Sequence, residues 1–535
     1  MLSLFSLPFA VPLQLLKLSA SATTPTVSLR YGTFEGFNSG NLTQFLGVPF
    51  AQAGRFEYPQ EPDVLHGLQK ATAYGPACPQ QKVSHPPGLP FEVATYADIS
   101  EDCLTLDVFK PARIEPDAKL PVFVWIYGGG FAIGHSRDFN LTPVVERSIE
   151  IGQPFIAVTI NYRLNAFGWL MGKEAAAAGI NNLGLRDQIF ALEWVQRNIE
   201  LFQGDPERVS VGGQSAGGVS TAFLTFDNAQ DSNALFKGAW LQSGPPFHIP
   251  HLLDDQDIYD ALLDATNCSS SSSPSSAMSR NATSIECLRT VPLETLISAV
   301  NAAPNFLNSD RCWGLRRRGN VRGVYYHLVN RVVFLIKGMY SNPRLFALAS
   351  LNITTDAEFS GYVHSNYFPK TSSSELAELA RLYPRDPAQG SPFGTGTEFQ
   401  LSPQYKRVAA FTGDMLVTSP LRFFTQHASA RQDVWGWSVT ANKAAGGAAG
   451  AFHGIDTAAW MTRTTVLGTL GMDRMVNFVN NLNPNDPATP TAWPKHNSSS
   501  SSSLMVFADD GVSIAADDYR REAVNYLNYL RVKEA

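Results

Sequence analysis

Ser215 occupies a pattern that could make a serine hydroxyl a nucleophile. It is the central residue of the run GQSAG at 213–217, which follows a short apolar run at 209–212. Small residues on both sides allow a sharp turn, and the turn lifts the hydroxyl above the end of a strand. A helix that begins directly after it would supply backbone N–H groups for developing negative charge. The pentapeptide alone is a weak signal, because ordinary glycine-rich turns also match it.

A glycine run upstream strengthens this interpretation. Residues 121–127 are apolar and lead into GGGF at 128–131. The N–H groups of such a run can face the nucleophile as an oxyanion hole, which acyl transfer at a carbonyl carbon needs. A phosphate-binding loop is the alternative, but neither the dinucleotide spacing nor a following Lys-Ser/Thr pair is present.

His453 is the candidate general base. A base should follow the nucleophile in chain order, and His453 lies well after Ser215, in the run AFHGID at 451–456. A single histidine is usually structural or lies at the surface. Beside Ser215 and the glycine run, however, His453 is the best placed of the ten histidines.

Short apolar runs alternate with longer helical patterns, which predicts a mainly parallel, buried sheet flanked by helices. The predicted strands are 121–127, 155–162, 209–212, 238–242, 434–439 and 504–508. Residues 187–202 are predicted to form a helix, and a C-terminal helix is expected behind a cap at Asp517 or Asp518. The serine tracts 269–273 and 498–503 are expected to be solvated loops.

The composition predicts a globular protein with a large core. The chain has 535 residues, of which 44% are hydrophobic, and no clear linker divides it. One elaborated domain over 23–535 is therefore expected. The net charge of −6 gives no reason to expect nucleic acid or an anionic membrane as partner, so small or neutral substrates fit better. After the N-terminus, no run reaches the roughly 20 apolar residues that span a membrane.

Several features predict secretion. Residues 1–22 are apolar, have no charged side chain before Lys17 and end in ASA, as a signal peptide does. The five cysteines form two local pairs and one remaining residue, which suggests two disulfides in an oxidising compartment. Glycan acceptor sequences occur at Asn41, Asn140, Asn281, Asn352 and Asn497.

Further motifs carry a resemblance to a known family. These are SEDCL at 100–104, NYRL at 161–164, NLGLRDQ at 182–188 and GDP at 204–206. Together with the serine and glycine runs they resemble the type-B carboxylesterase/lipase family, which includes fungal extracellular lipases and the cholinesterases. The resemblance extends from about Gly32 to Lys495 with one break, and it implies an α/β-hydrolase fold with a large, mainly parallel central sheet.

The resemblance also implies roles for individual residues. Ser215 would be acylated by a carboxylic ester, His453 would act as general base and acid, and Gly129, Gly130 and Ala216 would donate N–H groups to the oxyanion. Neither a metal nor an organic cofactor is required. The implied substrates are carboxylic esters, acylglycerols among them. The implied disulfides and structural ion pairs are Cys78–Cys103, Cys268–Cys287, Arg55–Glu101 and Arg163–Asp187.

The acid of the catalytic triad is missing from its expected place. In the fungal branch of the family it is a Glu in a DEGT-like motif before a Leu-Phe pair. Here SNPR precedes that pair, and Asn342 occupies the position of the Glu. Loss of the acid costs about 10⁴ in turnover in another triad hydrolase. The nearest carboxylates that could replace it are Asp310, Asp356 and Glu358.

The segment 311–344 around this position is unusual. It holds eight Lys or Arg residues and no Asp or Glu, although the chain is acidic overall, and it contains the unpaired Cys312. One hypothesis is that a misjoined exon or an unspliced intron replaced the original segment. The alternative is a true divergence that abolished or rerouted catalysis. A noncatalytic binding protein on the same fold is therefore the rival function.

Two smaller features concern activity and substrate. Gln214 stands where the family commonly has Glu, which removes a negative charge beside the nucleophile and should weaken the imidazolium form of His453 slightly. The interval between Cys78 and Cys103 has only 24 residues, which is short for the interfacial lid of fungal lipases. Soluble or medium-chain esters are therefore expected as substrates, rather than triglyceride droplets.

Overall fold

The computed structural model describes most of the residues of the chain. They are 24–83, 96–227, 235–246, 255–269, 283–306, 313–314, 333–337, 351–441, 447, 450–451, 453–463, 465–487, 491–497 and 502–534, with backbone alone at 226–227 and 333–337. Asn342, Asp310, Cys312, Asn281 and the predicted signal peptide lie outside them.

An 11-stranded sheet with the order β14-β13-β12-β11-β10-β9-β7-β8-β6-β4-β3 forms the centre of the fold, and a 3-stranded sheet has the order β1-β2-β5. The strands are β1 (Thr26–Leu29), β2 (Gly32–Glu35), β3 (Phe37–Ser39), β4 (Leu42–Pro49), β5 (Leu68–Lys70), β6 (Thr105–Pro111), β7 (Leu120–Ile126), β8 (Ile156–Ile160), β9 (Gly204–Gln214), β10 (Gly238–Gln242), β11 (Val333–Lys337), β12 (Val434–Val439), β13 (Ser503–Ala508) and β14 (Gly511–Ala516).

Pairing in the large sheet is parallel from β13 across to β8 and antiparallel at both edges. Every residue of β7, β8, β10 and β12 is buried, as expected of parallel strands covered on both faces. The sequence prediction of a mainly parallel, buried sheet is confirmed.

The helices lie between and around these strands. They are α1 (Thr142–Glu150), α2 (Asn165–Trp169), α3 (Lys173–Ala178), α4 (Leu183–Asn198), α5 (Ala216–Asp227), α6 (Gln256–Ala265), α7 (Ser284–Thr290), α8 (Leu293–Ala302), α9 (Asp356–Asn366), α10 (Ser373–Leu382), α11 (Tyr405–Gly413), α12 (Ser419–Ala428), α13 (Ile455–Thr462), α14 (Val466–Asn481) and α15 (Arg521–Glu534). None of the described helices is long and apolar enough to cross a membrane.

Strand β7 shows how the sheet separates two hydrophobic cores. Val122, Val124 and Ile126 belong to one cluster of buried side chains, whereas Phe123 and Trp125 belong to another. Successive side chains of a strand point to opposite faces, so each face of β7 is covered by its own layer. The site at the end of this strand therefore rests on a support that is packed from both sides.

The predicted element boundaries agree with the structure to different degrees. The strands 238–242 and 434–439 are confirmed residue for residue. Strand β9 is longer than predicted, because it already pairs with β7 at Gly204 and continues to Gln214. The helix predicted at 187–202 begins earlier, as α4, and its last turn, Ile199–Phe202, is a 3-10 helix.

Two local predictions were wrong. Neither Asp517 nor Asp518 directly precedes the C-terminal helix, because α15 begins only at Arg521, and the carboxylate of Asp517 is buried against Arg422 at 2.7 Å. Ser503, predicted to lie in a solvated loop, is the first residue of β13 and pairs with Ala516 of the edge strand β14. Backbone pairing at the sheet edge overrides the polar composition of the tract there.

The structure contains the disulfides and ion pairs that the resemblance implies. The Cα atoms are 5.1 Å apart in Cys78–Cys103 and 5.7 Å apart in Cys268–Cys287. Arg163 donates to both carboxylate oxygens of the fully buried Asp187, at 2.9 and 2.7 Å, and Arg55 makes the same bidentate contact with Glu101 at 2.7 and 2.6 Å. These pairs join distant parts of the chain and have structural roles.

Part of the compositionally unusual segment 311–344 belongs to this architecture. Trp313 is 1% exposed and packs in a cluster with residues of α6, α7 and α8. Residues Val333–Lys337 form β11, which pairs in parallel with β10 on one side and β12 on the other. The segment therefore supplies an interior strand of the sheet, whatever its origin.

Candidate active site

Ser215 stands at the junction of β9 and α5 in a strained backbone conformation. Its φ is 56°, in the left-handed region that non-glycine residues rarely adopt. Its N–H donates to the carbonyl oxygen of Gln242 at 2.8 Å, and its own carbonyl accepts from Val219 at 2.9 Å. The strand and the helix thus hold the residue from both sides, and the sharp turn predicted from the sequence is present.

Glycines make this turn possible because backbone lies where side chains would be. A Cβ atom on Gly217 would lie 2.0 Å from the carbonyl oxygen of Ile126, and one on Gly213 would lie 2.5 Å from the carbonyl oxygen of Gly217. Contacts of this length with backbone atoms cannot be relieved by a rotamer change. The first turn of α5 therefore packs directly onto the end of β7.

The glycine run after β7 lies beside the serine. A Cβ atom on Gly128 would be 2.8 Å from Cβ of Ser215, and Gly129 and Gly130 have φ of 118° and 62°. Among the described residues, the N–H groups of Gly129, Gly130 and Ala216 donate to no protein acceptor. N–H groups of this kind can donate to an anionic oxygen, and the start of α5 adds the positive end of its dipole.

Two tyrosines hold the end of β7 in place. The rings of Tyr127 and Tyr162 stack at 4.5 Å, and each hydroxyl donates to the backbone carbonyl of the other residue, at 3.1 and 3.0 Å. Burial raises the pKa of both phenols above the ordinary value, so both remain donors. This reciprocal pair fixes the point from which the glycine run departs.

His453 reaches the same site from the loop before α13. Its Nε2 lies 3.1 Å from Nε2 of Gln214, the residue that precedes the serine. The next residue, Gly454, has a φ of 88° and begins the turn into α13. Although both residues are described, no hydrogen bond joins the Ser215 hydroxyl to His453. The structure therefore brings Ser215, the glycine run and His453 together, and the side chain of Gln214 is hydrogen-bonded to the histidine.

Two of the suggested replacement acids are engaged elsewhere. Asp356 accepts from Arg407 at 2.8 Å and from Gln404 at 3.0 Å, and the contact with Gln404 is the main cause of its lowered pKa. Glu358 caps the start of α9 through Thr354 and Thr355, and these hydrogen bonds, first that from the Thr354 N–H, lower its pKa to about 2. Neither carboxylate contacts His453, which is a correction to the sequence-based suggestion.

Phe306, which contacts the glycine run, and Asp456, which is close to His453 in sequence, were not singled out from the sequence. Asp456, three residues after His453, is 1% exposed and accepts from the Trp437 indole at 3.4 Å. The ring of Phe306 lies over the glycine run, since a Cβ atom on Gly130 would be 2.3 Å from two of its carbons. Nothing in the sequence placed Phe306 on Gly130.

Comparison with known proteins identifies the family. The sequence pattern described as "Carboxylesterase family" matches residues 23–317, more than half of the chain. The chain belongs to the carboxylesterase family. It is accordingly a carboxylic ester hydrolase.

Relatives of this carboxylesterase extend the match to nearly the whole chain. Lipase 5 of Diutina rugosa is 33% identical over 95% of this chain and 97% of its own. The secreted triacylglycerol lipase LIP1 of Gibberella zeae is 32% identical over 95% of this chain and 90% of its own. The crystal structure of Aspergillus niger EstA superposes with a TM-score of 0.79 at 26% identity, over 96% of this chain and 99% of that one.

The match to the family pattern ends before the chain does. It ends at residue 317, inside the unusual segment 311–344, whereas the full-length relatives align over 95% of the chain. The family match therefore stops inside the unusual segment, whereas the alignments with the relatives continue beyond it.

The close approach of Gly128 to Ser215, the candidate nucleophile, can be tested by substitution. Gly128→Ala should lower kcat for ester hydrolysis by about 10²-fold, because the new methyl group displaces either the serine or the N–H groups beside it. The measurement is the initial rate of p-nitrophenyl butyrate hydrolysis. Gly361→Ala in α9, where nothing lies within 4 Å of the added methyl, is the matched control and should leave the rate unchanged. Equal rates in both variants would contradict the assignment.

Proposed function

We propose that this protein hydrolyses carboxylic esters through a covalent acyl-enzyme on Ser215. The observation that carries the proposal is the serine in left-handed conformation between β9 and α5, beside the N–H groups of Gly129, Gly130 and Ala216. Strain at a non-glycine residue persists only where the surrounding structure imposes it, and such residues cluster at active sites. Family membership supports the same reaction.

In the proposed mechanism the Ser215 hydroxyl attacks the ester carbonyl while His453 takes its proton. A bond forms between the serine oxygen and the carbonyl carbon, and the oxyanion that develops is bound in the cradle that the N–H groups beside Ser215 form. The bond to the alcohol then breaks, and His453 returns the proton to the departing oxygen. Water repeats the attack on the acyl-enzyme and releases the acid. For the first proton transfer, the imidazole has to turn from Gln214 to the serine.

We expect the proposed reaction to be slow in this protein. The family's Glu is replaced by Asn342 in the sequence, and neither Asp356 nor Glu358 takes over its role. In triad enzymes the acid holds the imidazole in the tautomer that can accept the serine's proton, and it stabilises the imidazolium. Its loss leaves the serine and the oxyanion cradle functional but lowers the rate by about 10⁴.

For the substrate we propose soluble or medium-chain esters, acted on outside the cell. Phe306 lies over Gly130 and narrows the space beside the oxyanion cradle, which favours small acyl or alcohol groups. The interval between Cys78 and Cys103 is short for a lid that opens at an oil surface. The two disulfides, and relatives named as secreted, support export of the chain.

A noncatalytic binding protein is the second candidate, and the missing acid is the observation that favours it. The conformation of Ser215 and the N–H groups beside it argue against a noncatalytic function. A protein that only binds partners has no use for a strained serine beside three N–H groups without protein acceptors. Labelling with a fluorophosphonate separates the two functions, because the reagent requires an activated serine.

Ser215→Ala tests the nucleophile. The unmodified protein should react with a fluorophosphonate and hydrolyse p-nitrophenyl butyrate measurably, and the Ser215→Ala variant should do neither, because no hydroxyl remains to be acylated. Mass spectrometry of the labelled peptide provides the measurement. Ser243→Ala is the control, since Ser243 also has a positive φ, 53°, but follows β10 instead of β9. Labelling of Ser215→Ala would refute the proposal.

Restoring the acid tests the explanation for slow turnover. Asn342→Glu should raise kcat by up to about 10⁴-fold, since a carboxylate at that position would orient the imidazole of His453 and stabilise its protonated form. Asn342→Gln has nearly the same size without the charge and should not raise it. Equal kcat in the two variants would show that the segment does not bring position 342 to the histidine.

The substrate preference predicts no activation at an oil surface. The rate on tributyrin should rise smoothly with concentration and show no jump where the ester exceeds its solubility, because the short loop offers no large lid to open. A steep increase at that concentration, measured by titration of the released acid, would instead assign the protein to the interfacial lipases.

A further inference from the structure

Gln214 makes a contact with His453 that has to break during the proposed reaction. Its side-chain nitrogen lies 3.1 Å from Nε2 of His453. An amide nitrogen only donates hydrogen bonds, so Nε2 must offer its lone pair to this contact. The same lone pair has to accept the proton of Ser215 during acylation, and an imidazole nitrogen has only one. Gln214 and Ser215 therefore compete for a single acceptor.

The amide of Gln214 is held in a narrow slot. The residue is 8% exposed. On one side, a Cβ atom on Gly128 would lie 2.6 Å from its side-chain oxygen, and on the other, a Cβ atom on Gly454 would lie 3.2 Å from its side-chain nitrogen. A side chain at position 128 would collide with this oxygen, and one at position 454 would crowd the nitrogen. The amide therefore has little room to leave the position in which its nitrogen faces the histidine.

The imidazole is the less enclosed of the two partners. His453 is only partly buried, whereas Gln214 is 8% exposed. A change of side-chain rotamer can turn the ring from Gln214 to Ser215 while the amide stays in its slot.

We infer that Gln214 is a positioning residue that holds His453 away from Ser215 in the resting protein and must be released before acylation. The inference rests on the proposed function of Ser215 and His453. It is particular to this chain, because a Glu at this position, which the resemblance leads one to expect, could accept but not donate. Gln214 acts through the histidine and has no contact with the reacting carbonyl.

The rate of acylation tests the inference. Gln214→Met keeps the length of the side chain without its donor, and Gln214→Asn keeps the amide but shortens its reach. Both should increase the second-order rate of fluorophosphonate labelling at Ser215 about five-fold, since one neutral hydrogen bond no longer has to be broken. KM for p-nitrophenyl butyrate should stay constant while kcat rises if acylation limits the rate. A purely structural role would predict slower labelling, and slower labelling in both variants, with thermal unfolding unchanged, would overturn the inference.

A nitrogen-15 spectrum tests the contact without relying on activity. In protein labelled at histidine nitrogens, with the His453→Gln variant used for assignment, Nε2 of His453 should resonate as an unprotonated, hydrogen-bonded nitrogen. The signal should shift in Gln214→Met. A protonated Nε2 in the unmodified protein at neutral pH would overturn the inference, because the amide would then be accepting. If no variant can be labelled, the proposed function fails, and the spectrum still decides whether the contact exists.

Discussion

Three backbones meet at the base of the candidate site, and the rest of the arrangement depends on how close they come. The carbonyl oxygen of Ile126 at the end of β7 lies where a side chain on Gly217 would be, and Gly213 at the end of β9 faces Gly217 in the same way. Without this approach the first turn of α5 could not sit on the sheet. Ser215 would then not be forced to its φ of 56°. Packing free energy from both faces of the sheet thus maintains a conformation that is locally unfavourable.

The site divides into two halves that differ in how the fold specifies them. The candidate nucleophile and the backbone N–H groups beside it come from β7, β9 and α5, which are interior elements clamped by backbone contacts and by the Tyr127–Tyr162 pair. The candidate base comes from a glycine-containing loop after β12, and the expected acid position follows β11. Both departures from the pattern that the resemblance implies concern the surroundings of the candidate base: Asn342 stands at the expected acid position, and Gln214, the last residue of β9, contacts His453.

Sequence reasoning was most successful where one local rule governs the outcome. Strands β10 and β12 were predicted residue for residue, because a buried parallel strand is a continuous apolar run. The serine turn was recognised from its small residues. The start of β9 was missed, since it depends on pairing with Leu120, a contact distant in sequence. Phe306 over Gly130 was missed for the same reason, because it is a tertiary contact between residues whose types gave no hint of each other. The resemblance placed Gln214 near His453, but not the hydrogen bond between their side chains.

The unusual segment 311–344 shows how a fold can be retained while a catalytic residue is lost. Between β10 and β12 the sheet needs a short strand that forms parallel pairs and tolerates burial, and the run VFLIK at 333–337 meets that requirement through β-branched and aromatic residues. Any apolar run of similar length would meet it almost as well. A triad acid has no such tolerance, because its carboxylate has to contact the histidine. Replacement of the whole segment can therefore preserve the sheet and the serine turn while it removes the residue on which the rate depends.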